Sequence, residues 1–335
     1  MRRAALVLAL VLLCGTAGAD PLKLRIGWAQ APTQLTPLVE ELSKRHPEMF
    51  PHSGKTYRME PTRFQGSTPQ IQAVAAGGLE IAALGPSSLV LAVVNAHLEM
   101  RIIADLMQDG VTGLFSTWWA VRTDGPIKDF SDMKGRQVAI NALGAMTDML
   151  LRTSMRQHGV ADSDYTVIET NFANMLPMME NRKVDLVPVM PQFSHDFEAA
   201  GHYRSLFTLR ELVGQSQVGM WTVRADFIAA HRAELVDFLE DYMRGQRWFL
   251  TPGNREEALA IAQAVTKESR ASLDYVFTER DLYRSPDLVP SIPTVQKDID
   301  WALSMKLLPA GLTVAPRYVD LSLVEEAKKR LDAKP

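Results

Sequence analysis

Cysteine is nearly absent from this chain of 335 residues: Cys14 is the only one. It falls inside a segment with the marks of a secretory leader, so the mature protein is expected to hold no disulfide, no thiolate metal site and no cysteine nucleophile. Histidine is also sparse. The seven, His46, His52, His97, His158, His195, His202 and His231, show no His-Glu-x-x-His spacing. Gly214-Gln215-Ser216-Gln217-Val218-Gly219 sets its second glycine one residue too far for a nucleophile elbow, and no phosphate-binding P-loop is present. No metal, cofactor or catalytic residue is assigned, and an enzyme is not the expected class. Positive charge is not in excess either. The formal charge is −3, and about −5 once Arg2 and Arg3 are removed, which argues against nucleic acid or an anionic membrane surface as a partner.

Apolar runs long enough to cross a bilayer are missing. The N-terminal run, Ala4 to Leu13, is too short to span comfortably, follows Arg2-Arg3, and precedes Ala17-Gly18-Ala19. This is the layout of a cleavable signal peptide, residues 1–19, with cleavage expected after Ala19. Lipidation at Cys14 is not expected, because Leu13 stands where a small side chain is normally required. The mature chain is long enough for two ordinary domains and a large core, and is expected to be soluble outside the cytoplasm.

A short pattern occurs twice. Leu79-Glu80-Ile81-Ala82-Ala83-Leu84-Gly85-Pro86 matches Val184-Asp185-Leu186-Val187-Pro188-Val189-Met190-Pro191 in its order of apolar, acidic and proline positions. Each copy fits a buried parallel strand that stops at a proline. Any helix followed by a buried strand shares part of this grammar; the further step is two comparable α/β lobes facing one cleft. Strands are expected at Leu22–Trp28, from Tyr57, at Thr117–Arg122, Val138–Ile140 and Val218–Val223. Helices are expected over Thr36–Arg45, from Ser67 or Thr68 as N-cap with Pro69 at the first helical position, from near Gly144 to Thr147, and almost continuously from about Asp226 to the end. Thr123-Asp124-Gly125-Pro126 is a strong turn and marks the first crossing between lobes. The expected division is residues 20–122 and 222–335 for the first lobe and 123–221 for the second, with the two crossings forming a hinge.

Five ordered motifs carry a resemblance: Leu24-Arg25-Ile26-Gly27-Trp28; Phe64-Gln65-Gly66-Ser67; Ala75-Ala76-Gly77-Gly78-Leu79-Glu80-Ile81-Ala82; Phe130-Ser131-Asp132-Met133-Lys134-Gly135-Arg136-Gln137-Val138-Ala139-Ile140; and Lys183-Val184-Asp185-Leu186. Through them the chain resembles bacterial periplasmic solute-binding proteins of the nitrate, sulfonate and taurine import type. These share a domain family with thiamine-pyrimidine synthesis proteins. The resemblance implies an α/β fold of the two-lobed periplasmic binding protein type II, each lobe a mainly parallel sheet flanked by helices. It also implies a periplasmic monomer that closes on a small molecule and delivers it to an inner-membrane ABC permease. Alternatives are a thiamine-pyrimidine precursor binding or synthesis protein and a sensor module docking on a membrane receptor. The eukaryotic synthesis proteins depend on a cysteine-rich cluster that this chain lacks.

Carried onto this sequence, the family's ligand contacts fall on Trp28 and Gln30; on Gly66, Ser67 and Thr68; on Gly85, Pro86 and Ser87; on Asn141, Gly144, Ala145, Met146 and Thr147; on Pro191 and Gln192; and on Trp118 or Trp119 at the hinge. In open parallel sheets such loops lie beyond the carboxyl ends of the strands, where ligands bind. Two helix N-termini facing one cleft hold an anion without lysine or arginine. These loops carry almost no charge, which suits a sulfonate, a carboxylate or a neutral polar heterocycle. Plainer roles exist for each: helix capping for Ser67, Thr68 and Thr147, core packing for Trp28 and for one of the two adjacent tryptophans, and a solvated position for Arg63.

Overall fold

The computed structural model describes residues 20–333. The expected leader, including Cys14, lies outside the described residues. Among the described residues there are ten strands: β1 Leu22–Trp28, β2 Tyr57–Arg63, β3 Ile81–Leu84, β4 Met100–Asp109, β5 Trp118–Arg122, β6 Gln137–Ile140, β7 Thr166–Glu169, β8 Val187–Val189, β9 Tyr203–Thr208 and β10 Ser216–Arg224. Five of them form a sheet in the order β2-β1-β3-β10-β4; β8-β5-β9 and β6-β7 form two smaller ones, joined by a bridge from Val138 to Leu186.

The fold is α/β, and its sheets are mixed rather than mainly parallel. β1 runs parallel to β2 and β3, but β10 is antiparallel to both β3 and β4, and β5 is antiparallel to β8 and β9. The reversed strands are the two that follow the long connections between the sheets. β5 pairs only within the smaller sheet, and β10 lies between β3 and β4 of the larger one.

β10 shows why the larger sheet sits at the centre. Trp221 and Val223 enter one apolar core with Leu24, Ile26, Phe238 and Tyr242, while Met220 enters another with Leu84, Ile102, Leu89 and Ile299. Alternation along a strand delivers successive side chains to opposite faces, so both faces are covered. The Arg232–Leu250 helix supplies one cover by burying Leu235, Leu239, Tyr242, Gln246 and Phe249, spaced four and three apart. Both copies of the repeated pattern fold alike: β3 and β8 are fully buried, and each runs into a helix that begins at proline, Pro86–Val94 and Pro191–Ala200. Pro188 sits in β8, which ends its three-stranded ladder and meets the neighbouring sheet just before the proline, at Leu186.

Two expectations are corrected. The second helix spans Ser67–Ala75 with Gly66 at the N-cap, so Pro69 occupies its third position and neither Ser67 nor Thr68 caps it. The C-terminal part is not continuously helical, since the Arg255–Thr266 and Ile292–Ser304 helices are separated by turns over 267–291. Within that stretch the backbone closes isolated turns rather than a continuous helix, and it is tied to β4 through Tyr283 and Gln108.

Candidate functional site

A chamber of about 100 Å³ opens where the larger and smaller sheets meet. A single water needs roughly 10–15 Å³ of such space, so the chamber has room for a small organic molecule. One wall comes from the loop after β1 (Ala29, Gln30, Thr33, Gln34), the start of the Ser67–Ala75 helix (Gly66, Ser67, Gln70), and Ala83, Met107, Val218 and Gly219 on β3, β4 and β10. The other comes from Thr117 ahead of β5, Asn141 after β6, and Ala145, Met146, Thr147 and Leu150 around the start of the Met146–Gln157 helix. Phe172, Met190 and Leu209 complete it.

Local sequence sets these helix starts. Gln70 is fully buried; its Oε1 accepts from the Ala83 N–H at 2.8 Å and its Nε2 donates to Gly66 O at 3.2 Å, clamping the helix to β3. Glycine at position 27 leaves room for this amide, since a Cβ there would lie 2.1 Å from Gln70 Oε1 and would displace it from the clamp. The N-cap positions of the helices that open on the chamber are Gly66, Ala145 and Met190, and none supplies a side-chain cap. The hydroxyls one or two residues further on are engaged elsewhere. Ser67 donates to Ala83 O at 3.2 Å, and Thr147 donates to Asn141 Oδ1 at 2.5 Å. First-turn N–H groups have no partner inside a helix, so two helix starts, Ser67–Ala75 and Met146–Gln157, bring uncapped donors and partial positive charge to one space.

The walls meet through direct ties. Gln65 Nε2 donates to Asn141 O at 2.7 Å, and Asn141 Nδ2 donates back to Gln65 O at 3.3 Å. Thr68 donates to Leu143 O at 3.0 Å, and Thr33 donates to Gln192 Oε1 at 2.7 Å. No residue lining the chamber is ionisable. Charge stands behind it instead. Arg284, buried with Asp281 at 2.8 Å, donates to Thr33 O at 2.8 Å, holding the β1 loop in place. Asp105 on β4 accepts from Gln217 Nε2 at 2.6 Å and Ser285 N–H at 2.9 Å, and its burial pushes it up to about 6. Asp148 is raised by burial, against the opposing pull of the Gly144 N–H and Arg152. Among the described residues no cluster of histidine and carboxylate side chains could hold a metal.

Seven expected contacts line the chamber: Gln30, Gly66, Ser67, Asn141, Ala145, Met146 and Thr147. The others lie elsewhere. Trp28 is half-buried under the Arg63 guanidinium, 5.6 Å away. Trp119 is buried and stacked on Phe207 at 4.6 Å, and Trp118 meets Phe197 edge-on at 5.9 Å, so β5 gives the chamber Thr117, just ahead of it, instead. Gly85 is covered by β10, with Val218 O 3.4 Å from where its Cβ would be, and Pro86 and Ser87 are buried behind it. Thr68 is not in the lining and bonds to Leu143 O. Gly144, at φ +72°, turns its N–H to Asp148, and Pro191 and Gln192 lie beyond Met190. Thr33, Gln34, Gln70, Met107, Val218 and Gly219 were not anticipated. A glutamine three residues into the Ser67–Ala75 helix is the one signal that could have pointed to the wall; Thr33 and Gln34 follow from the course of the β1 loop, and Met107, Val218 and Gly219 from how β4 and β10 pair.

Residues 62–254, more than half of the chain, match the family described as NMT1/THI5 like. No curated protein sequence matches the chain. Among solved structures, the alkanesulfonate-binding protein SsuA from Xanthomonas axonopodis pv. citri, bound to MOPS, is similar with 18% identity and a TM-score of 0.68, over 90% of this chain and 99% of that one. The periplasmic nitrate-binding protein NrtA from Synechocystis PCC 6803 is similar with 15% identity and a TM-score of 0.70, over 93% and 89%. The desulfurization enzyme DSZB is similar with 11% identity and a TM-score of 0.62, over 92% and 99%. At these identities the likeness establishes a shared fold, one that serves both binding and catalysis.

Proposed function

The chain belongs to the NMT1/THI5-like family, and from that premise we propose that it is a periplasmic solute-binding protein that captures a small organic anion, a sulfonate or carboxylate, for an inner-membrane ABC permease. The observation that carries the proposal is the pairing of two uncapped helix starts across a chamber without ionisable side chains. Fixed N–H dipoles can hold an oxyanion at low reorganisation cost, while Met107, Met146, Met190 and Leu150 supply an adaptable apolar wall for its organic part. A neutral polar heterocycle is the second reading, because the same lining would accept a ligand with no charge at all. Strand pairing supports two lobes, one around the larger sheet and one around the smaller two, with crossings at 110–117 and 209–215. The bonds of Gln65 to Asn141 and of Thr33 to Gln192 would hold the closed arrangement.

A thermal-shift panel of alkanesulfonates, nitrate, bicarbonate, aliphatic and aromatic carboxylates and thiamine precursors tests this. A ligand at a hundred times its dissociation constant should add about 2.7 kcal/mol of stability, a shift of several degrees. A positive response to sulfonates or carboxylates is the expected outcome. A blank panel, together with no small molecule released on denaturation and detected by mass spectrometry, overturns the reading.

A further inference from the structure

We propose that Arg63 forms an outer subsite of the same cleft that reads a second negative charge at the far end of the ligand, an inference that rests on the solute-binding reading. A second space, about 220 Å³, adjoins the chamber and shares Ala29, Gln30 and Phe172 with it as common wall. Across the linings of both spaces one side chain carries charge, and it is Arg63. This arginine ends β2 and is steered in two ways: its Nε approaches Ala29 O at 3.4 Å, and its guanidinium lies 5.6 Å from the Trp28 ring centroid. Both contacts leave its terminal nitrogens available, and no carboxylate pairs with it among the described residues. By contrast, the other arginines beside it on β1 and β2 are neutralised, Arg25 by Glu80 and Arg58 by Glu60.

A guanidinium fork matches a carboxylate or sulfonate in two parallel hydrogen bonds. The Gln65 and Asn171 amides flank it in the same space, and Phe64 and Phe172 give it apolar sides. The inner chamber would hold one polar end at the helix starts, and the outer space the other. The ligand class that fits both is therefore a short chain with an anionic group at each end.

The test uses butane-1-sulfonate and 4-sulfobutanoate, which differ by one terminal carboxylate, titrated calorimetrically into the exported protein, its Arg63→Gln variant and its Arg63→Lys variant. The wild type should bind the dianion about fivefold more tightly, the difference a partly exposed ion pair can supply. That ratio should shrink as salt rises, fall to near one in Arg63→Gln, and return in part in Arg63→Lys. An unchanged ratio in Arg63→Gln, or a wild type that favours the monoanion, overturns the subsite and leaves the solute-binding reading standing. Binding of neither probe overturns the subsite as well, and a blank thermal-shift panel beside it removes the solute-binding reading too.

Discussion

Behind the wall that the larger sheet gives to the chamber lie buried charges, and behind the opposite wall lie leucines and methionines. Arg284 and Asp281 are almost wholly enclosed, bond to each other, and reach Thr33 O in the wall itself; Asp105 joins β4 to β10 through Gln217 and to the 267–291 stretch through Ser285. The smaller sheets instead pack Leu150, Leu151, Met155, Leu186 and Trp119, and a second cluster around Met175 and Met179. Their charged groups, Arg152 and Arg156 with Asp162, are partly open to solvent, and Asp148 at the start of the Met146–Gln157 helix is a carboxylate buried among them. Two walls built so differently carry different jobs. The larger-sheet wall has its own directional scaffold and keeps its shape alone. The smaller-sheet wall rests mainly on non-directional packing, with Asp148 fixing the Met146–Gln157 helix start locally, and is tied to the larger sheet by the bonds it makes across the chamber.

The comparison breaks first, and most severely, at Arg284. Arg284→Met leaves Asp281 buried without its cation, still accepting from the Phe277 and Leu282 N–H groups, and frees Thr33 O. Removing one partner of a buried pair costs about 3–5 kcal/mol. Chemical denaturation should show a loss of that size, together with weaker ligand binding because the β1 loop loses its anchor. A loss below about 1 kcal/mol would mean that the apolar core, not the ion pair, supports this wall.

Asp105 gives a smaller effect with a definite pH signature. It faces Gln217, Gln108 and Ser285, with Arg284 the nearby cation and Tyr283 the other titratable neighbour. Burial raises its carboxyl from 3.8 to about 6 in the folded protein. A carboxyl raised in this way is held protonated more tightly when folded than when unfolded. Its share of stability is therefore full below about pH 4 and is lost as pH rises to about 6. The two-unit shift corresponds to about 3 kcal/mol. Asp105→Asn cannot ionise, so the stability of the wild type relative to this variant should fall by about that amount between pH 4 and pH 7. A flat difference would show that Asp105 ionises as easily in the fold as in water.

Much of this arrangement could be read in the sequence, and the limits are physical. Periodicity and proline placement locate β1, β3, β8 and the Thr36–Arg45 helix, because alternation and buried apolar runs are local signals. The elements flanking the loops after β1 and β6 and the start of the Ser67–Ala75 helix are legible for the same reason, but it is the family resemblance that pointed to Gln30, Gly66, Ser67, Asn141 and Thr147, which line the chamber. Met107, Val218 and Gly219 are not legible, since their place on the wall follows from β10 slipping between β3 and β4, a pairing between residues more than a hundred apart. Of Trp118 and Trp119, one is expected at the cleft and one in the core; β5 pairs with β9, which turns Trp119 onto Phe207 in the core, and Trp118 meets Phe197 rather than the chamber. Asp281 and Arg284 sit in a stretch expected to be helical, which Pro286 and Pro290 interrupt and which bonds instead to β4 and to Thr33.

The smallest effect on stability is expected in the smaller-sheet wall, at Asn141. Asn141→Ala deletes the bond to Gln65 O and leaves the Thr147 hydroxyl without its acceptor, while the bond from Gln65 to the backbone at 141 survives. Net hydrogen-bond contributions of this kind are about 1 kcal/mol each, so the protein should lose about 1–2 kcal/mol, well below the loss at Arg284. Binding separates the two readings of the chamber more sharply than stability does. Asn141→Asp keeps an acceptor for Thr147 but places a negative charge in a lining that has none. Two like charges about 4 Å apart repel by up to about 4 kcal/mol at an intermediate dielectric, so an anionic ligand should lose at least tenfold in affinity. A neutral heterocycle would escape most of that penalty. If Asn141→Asp binds a confirmed anion as tightly as the wild type does, the helix starts are not where its charge rests.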